Sequence, residues 1–393
     1  MAPEANGDLA QRNSLPPYAS RLTRRELLAR VSACGWLVAG GWDQSLAEQP
    51  GVRLPVVPRI NGGINVHPLR RIKGPFDLPV IIPELVNLQL RAVYELGIQQ
   101  IRTTVAFDAF GFGNSFLGAI PYVRAARALG IDVVALIGNL DAGPNLPRAL
   151  TNSELRPRLL RVYVDILNPP PLPLPGVNRV GTLAIQVLNE PTHFSAIPPR
   201  LYVQHFLRPV YSDLKFLAPE LTVVSAAPVG TRNGVLRARE MFRAGLERYC
   251  DRVAFHVYER QTIRHLAGLS SLPVWITESS TAGPERHLDW ITTVYDEISE
   301  TLGNVERIFY YDLFDFLPEQ FRLFSLSDDE TAGVALLPES TRLLDYFSSR
   351  VDHVMDGTSR TPYEALIPDI TAYFPTAEDH LVIESVDLSQ GSR

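Results

Sequence analysis

From residue 60 onward, eight short apolar runs rich in β-branched and aromatic residues alternate with longer segments, and this alternation restricts the possible folds most. The runs are GGINVHP (62–68), QQIRTTVAF (99–107), IDVVALIG (131–138), TLAIQVLN (182–189), LTVVSAA (221–227), RVAFHVY (252–258), PVWITES (273–279) and ERIFYYDLF (306–314). Between them, segments such as IPELVNLQLRAVYELG (82–97) and IPYVRAARALG (120–130) repeat apolar residues at helical spacing and close on glycine. The runs lack strict in–out alternation, so both faces are expected to be buried, as in a parallel sheet covered by helices. Eight β-then-α units fit a (β/α)8 TIM barrel better than an open sheet. A doubly wound nucleotide-binding sheet would need a glycine-rich phosphate turn after its first strand, and NGGIN (61–65) lacks that spacing.

Composition removes several classes of function. The net charge is −6, which disfavours nucleic acid as a partner. With two cysteines, Cys34 and Cys250, there is no disulfide framework and no cysteine-based zinc site. Cys250 reads as a small buried apolar residue. His67, Asp108 and Asp141 lack the spacing of a metal set, so neither a metal nor another cofactor is expected.

The chain divides into three expected parts. Residues 1–47 resemble a twin-arginine secretion signal: LTRRELLAR (22–30) precedes the apolar run VSACGWLVAGGW (31–42), and a small-residue cleavage point follows Ala47. That run is too short to span a bilayer, so no membrane anchor is expected, and the implied location is periplasmic or extracellular. Residues 48–350 form the barrel, with the last helix expected within 318–350. Residues 351–393 form an extension that packs under the barrel or continues beyond it.

In such a barrel the chemistry lies at the C-terminal ends of the strands. The second run carries Arg102, with Asp108 beyond it. The third ends on Asn139 and Asp141, the fourth on Asn189 and Glu190, the sixth on His256 and Tyr258, the seventh on Glu278, and the eighth on Tyr310, Tyr311 and Asp312. Glu190 and Glu278 therefore face each other across the barrel mouth. Two facing carboxyl groups, one protonated and one ionised, are what retaining glycoside hydrolysis requires.

With these residues in strand order, residues 60–350 resemble glycoside hydrolase clan A. In that clan the acid/base follows an asparagine at strand four and the nucleophile ends strand seven. The resemblance implies Glu190, in Asn189-Glu190-Pro191, as acid/base and Glu278, in WITES, as nucleophile. It further implies that Arg102 hydrogen-bonds the nucleophile, that Asn189 holds the sugar 2-hydroxyl, and that His256 and Tyr258 form the strand-six pair whose tyrosine touches the nucleophile. The helix-then-strand passage FLGAIPYVRAARALGIDVVALIG (116–138) and the stretch FRLFSLSDDETAGVALLPESTRLLDYF (321–347) are similar to the xylosidase, iduronidase and exopolysaccharide endoglycosidase branch. Where the clan usually has a tryptophan after strand eight, this chain reads YYDLFDF, so Tyr311, Phe314 or Phe316 is expected to supply the face under the sugar. Asn139 and Asp141 stand where a histidine or aromatic is common.

Other readings of the same residues remain open. Glu190 as a loop acid, Glu278 as a helix cap, Arg102 in a structural ion pair and His256 as a structural histidine each fit their immediate neighbours. At the level of function, the alternative to a retaining glycosidase is a catalytically silent barrel that binds carbohydrate or a partner protein.

Overall fold

The computed structural model describes residues 61–67, 71–73, 78–80, 83–95, 98–105, 114–138, 149–168, 179–193, 196–281, 286–312, 324–326, 334–336, 370–374, 376 and 378–379. The expected leader at 1–47 lies outside these residues. Eight strands make one parallel sheet: β1 (Asn61–Asn65), β2 (Gln100–Thr104), β3 (Asp132–Ile137), β4 (Leu183–Val187), β5 (Thr222–Val224), β6 (Val253–Val257), β7 (Val274–Ser279) and β8 (Val305–Tyr310). Strands adjacent in sequence are adjacent in the sheet, and β8 returns to β1 through Gly62–Ile308 and Gly63–Phe309. The remaining seam, between β5 and β6, is joined by a parallel bridge from Val224 to Arg252. The fold is a (β/α)8 TIM barrel, and each expected run coincides with one strand.

The helices are α1 (Pro83–Glu95), α2 (Asn114–Ala128), α3 (Leu155–Ile166), α4 (Arg208–Leu217), α5 (Arg232–Arg243), α6 (Ile263–Leu266) and α7 (Tyr295–Leu302). α2 begins before the expected 120–130 and carries Pro121 inside it. A proline near the start of an apolar repeat reads as a first helical position, but here the helix already runs from Asn114. α4 and α7 each continue a π-helical segment, Tyr202–Leu207 and Trp290–Val294 respectively. Within 318–350 the structure describes an antiparallel hairpin of Phe324–Leu326 with Val334–Leu336, and the expected last helix lies outside the described residues.

Period-two geometry splits the strand residues into two cores. Ile64, Ile101, Val133, Ile185, Val223, Phe255, Ile276 and Ile308 face the helices in the large outer cluster. Val134, Ala184, Val224, Ala254, Trp275 and Phe309 plug the barrel. The plug is filled unevenly, with Phe309 occupying the space that Gly63 leaves open. A Cβ on Gly63 would lie 2.4 Å from the Phe309 ring. One pleat above this plug, two residues further along their strands, come Asn65, Arg102, Gln186 and His256, and the apolar interior gives way to a buried polar layer.

At the opposite end of the strands, Asp132 accepts from Arg179 Nη1 (2.8 Å), the Thr182 amide (2.8 Å) and Arg307 Nη2 (3.2 Å), tying the start of β3 to β4 and β8. Burial opposes ionisation of Asp132, but these donors outweigh it and hold its carboxyl below the usual range. Polar groups on this face serve stability.

Candidate active site

Arg102 organises the polar layer. Its side chain is 3% exposed, and a buried guanidinium requires partners for its charge and its donors. Nε donates to Gln186 Oε1 (2.6 Å), Nη1 to Asn65 Oδ1 (2.7 Å) and Glu278 Oε1 (2.8 Å), and Nη2 to Asn189 Oδ1 (2.8 Å). Asn65 in turn donates to the carbonyls of Thr277 (2.9 Å) and Tyr310 (3.1 Å), which locks the fork to β7 and β8. Sequence reading missed Asn65 and Gln186. The single glutamine in the apolar fourth run, and the asparagine closing the first, are the signals that mark them.

Glu278 reaches this layer through an irregularity in β7. Ala254 pairs with Trp275 and Phe255 with Ile276, but His256 pairs with Glu278, so Thr277 is an extra residue. Trp275 points into the plug, and strict alternation would turn Thr277 inward and Glu278 towards the helices. The bulge restores Glu278 to the interior. There its second oxygen accepts from Tyr258 Oη at 2.6 Å. Burial opposes ionisation of Glu278 most strongly, yet the positive fields of His256 and Arg102 and the hydrogen bonds from Tyr258 and Arg102 outweigh it. Its carboxyl is held below the usual range. Desolvation and the neighbouring carboxylate push the half-buried Tyr258 phenol well above its ordinary value, and it remains a donor.

Glu190 enters from a turn after β4 in which Leu188 (φ 68°) and Glu190 itself (φ 38°) adopt left-handed backbone. Such conformations cost on the order of 1–3 kcal/mol for non-glycine residues and are kept where the surroundings hold them. The turn carries Glu190 back over the barrel, where it is 4% exposed and lies 2.6 Å from His256 Nδ1. The same nitrogen is 3.4 Å from Glu278 Oε2. One oxygen of each glutamate and a ring nitrogen of His256 all lie within 4.8 Å of one another.

Around this centre, half-buried Tyr311 packs edge-on against Tyr258 (6.3 Å) and His67 (5.7 Å), forming an aromatic rim. Gly230 allows the chain after β5 to press against Tyr258, since a Cβ there would lie 2.8 Å from the ring and 2.9 Å from the Tyr258 amide nitrogen. Of the residues expected in the site, Arg102, Asn189, Glu190, His256, Tyr258, Glu278 and Tyr311 are brought together. Asn139 and Phe314, with Asp108, Asp141 and Phe316, lie outside the described residues. Glu190, His256 and Glu278 offer three ligand atoms for a cation. The Arg102 guanidinium already neutralises Glu278, and its charge opposes a metal there.

Among the described residues, no helix is long and apolar enough to cross a membrane. No protein-family model and no curated protein matches the chain. Solved structures similar to it include an endo-1,4-β-mannanase from Rhizomucor miehei, 15% identical, covering 74% of this chain and 94% of that one with a TM-score of 0.49. Two fungal β-1,4-galactanases are represented by a match at 12% identity, 73% and 98% coverage and a TM-score of 0.49. The β-glucosidase from Thermotoga maritima matches at 13% identity, 68% and 85% coverage and a TM-score of 0.45.

Proposed function

We propose that the protein is a retaining glycoside hydrolase that cleaves a glycosidic bond in an oligo- or polysaccharide by double displacement. The observation that carries this reading is the pairing of two buried glutamates in unlike surroundings. Glu278 receives Arg102 and Tyr258, while Glu190 lies against His256. One oxygen of each lies within 4.8 Å of the other's, which supports the close carboxyl pairing, roughly 5–5.5 Å, of retaining enzymes.

In the first step Glu190 gives its proton to the glycosidic oxygen as the bond to the anomeric carbon breaks. The Glu278 carboxylate attacks that carbon and forms an ester. In the second step Glu190, now a carboxylate, takes a proton from water. That water attacks the anomeric carbon, the ester opens, and Glu278 returns to its ionised form. Arg102 and Tyr258 keep Glu278 ionised in the resting state, Asn189 is available to a sugar hydroxyl, and Tyr311 offers a ring face at the rim.

The test separates the two glutamates by leaving group. Glu190→Ala should nearly abolish cleavage of natural linkages, a loss of about 10²–10⁴-fold, but spare glycosylation by activated aryl glycosides. Azide should then restore turnover of that variant and give a glycosyl azide with retained configuration. Glu278→Ala should lose activity on both substrate types. Azide rescue of Glu278→Ala with a retained product, and of Glu190→Ala with an inverted one, would exchange the roles. Unchanged activity in both variants would show that the glutamate pair does not carry the reaction, and a parent that cleaves none of these glycosides would leave the silent binding barrel as the better reading.

A further inference from the structure

Both glutamates sit at irregular places in the sheet. The β7 ladder carries an extra residue beside Glu278, which is still paired with His256, and the chain after β4 leaves the ladder through two left-handed residues. Regular strand pairing alone therefore does not set either side chain. Yet a retaining centre tolerates displacements of only about 0.5 Å in its reacting groups.

Twelve residues after each glutamate, the chain places a large aromatic at the first position of a π-helical segment: Tyr202 after Glu190 and Trp290 after Glu278. Each aromatic hydrogen-bonds back to the end of the strand that its helix follows. Tyr202, fully buried, donates through its hydroxyl to the Val187 carbonyl (2.9 Å) and accepts from the Ala226 amide (2.6 Å). It thereby pins the last residue of β4 to the chain leaving β5, immediately before the left-handed turn. Trp290 donates from Nε1 to Ser279 Oγ (3.0 Å), on the residue next to Glu278. A π turn carries one more residue per turn than an α-helix and rotates the side chains that enter it, which turns each aromatic inward.

We infer that Tyr202 and Trp290 are positioning residues, one for each member of the carboxyl pair, supplying at two irregular strand ends an anchor additional to the ladder. Their catalytic consequence rests on the roles proposed above for Glu190 and Glu278, whereas the positioning itself is geometric. Tyr202 sets the depth of the turn that carries Glu190. Trp290 sets the rotation of the β7 end that carries Glu278.

The test uses full-length Tyr202→Phe, which removes one hydroxyl, and Trp290→Phe, which removes the indole N–H with part of the ring, while Ser279→Ala cuts the second bond from its other side without changing the indole. Crystal structures of the variants should show the Glu190 carboxyl displaced by about 0.5 Å or more in Tyr202→Phe, and the Glu278 carboxyl in Trp290→Phe and Ser279→Ala, with the barrel strands unmoved. On a panel of 4-nitrophenyl glycosides and matched alkyl glycosides, Tyr202→Phe should lose about tenfold or more in kcat on poor leaving groups alone. Trp290→Phe should lose a similar factor on both kinds, at KM within about twofold of the parent. Trp290→Phe and Ser279→Ala together should lose no more than either alone. Carboxyl groups that stay in place overturn the inference, as do losses indifferent to leaving group in both variants that follow the fall in Tm. Glu190→Ala and Glu278→Ala run in the same assays report on the carboxylate pair separately. Full activity in those two would sink the roles proposed for the two glutamates, while the crystallographic displacement still decides the anchors.

Discussion

Among single residues, Tyr258 and Arg102 give the sharpest handles on the proposed chemistry because both donate to Glu278. Glu278 must be ionised to attack, and its folded-state pKa lies below the ordinary carboxylate range. The acidic limb of kcat/KM is therefore expected below the pH at which a free glutamate titrates, reported as a property of the Glu190–His256–Glu278 group as a whole. Tyr258→Phe removes a 2.6 Å donor to the carboxylate, so protonation becomes easier and the acidic limb should move to higher pH. A pH–rate profile that does not move would show that this hydrogen bond has no part in tuning the acid. Arg102→Lys tests a different property. A lysine keeps the charge but cannot reach Gln186, Asn65, Glu278 and Asn189 together. Turnover should fall by about 10²-fold or more, since the carboxylate loses its fixed geometry as well as its partner. Wild-type turnover in that variant would make the arginine a structural residue only.

At the scale of elements, sequence reading located the strands and their ends but not the phase of the side chains within them. All eight runs were legible because a β-rich apolar stretch bounded by helical spacing has few alternatives. Arg102 and His256 were legible as site residues for the same reason, being polar residues in strands otherwise buried on both faces. The β7 bulge was not. PVWITES carries no glycine, and its one proline opens the run away from the extra residue, so only the pairing of His256 with Glu278 reveals it. The docking of Tyr202 and Trp290 was equally invisible, because π turns leave no residue signature that distinguishes them from an α-helix. One glycine carries a prediction at this scale. Gly63→Ala drives a methyl group into the Phe309 ring in the barrel plug, so β1 and β8 must separate or Phe309 must leave its rotamer. Overpacking of this kind costs about 1–3 kcal/mol. Urea unfolding should show that loss at an unchanged m-value, and stability equal to the parent would mean that the plug has slack there.

For the molecule as a whole, the remaining question is how residues beyond 351 relate to the barrel. Among the described residues, the turn Ile370–Tyr373 buries Ile370 and Tyr373 in the outer core. Just beyond, Asp379 accepts both arms of the Arg124 fork from α2 (2.9 and 2.8 Å) and the Thr376 amide (2.8 Å). Arg124 also donates from Nε to the Ile166 carbonyl at the end of α3 (2.6 Å), so one arginine joins two barrel helices to the tail. This docking was not readable from sequence, which left open whether residues 351–393 pack under the barrel or continue beyond it. Burial opposes ionisation of Asp379, but the Arg124 fork and the Thr376 amide outweigh it, so its folded-state pKa is depressed. The sign of the linkage follows: a depressed carboxylate contributes stability that is present above its unfolded pKa, near 4, and is lost as pH falls through the folded value. Asp379→Asn should therefore destabilise the protein by on the order of 1–3 kcal/mol at neutral pH, where a hydrogen-bonded charge is removed from its partner. As pH falls from about 4 through the depressed folded value, the parent's own Asp379 becomes neutral in the folded state too, and the two unfolding curves should converge. A difference that stays constant down to pH 2 would show that the substitution acts through packing and not through the charge, and that the tail is held by Ile370 and Tyr373 alone.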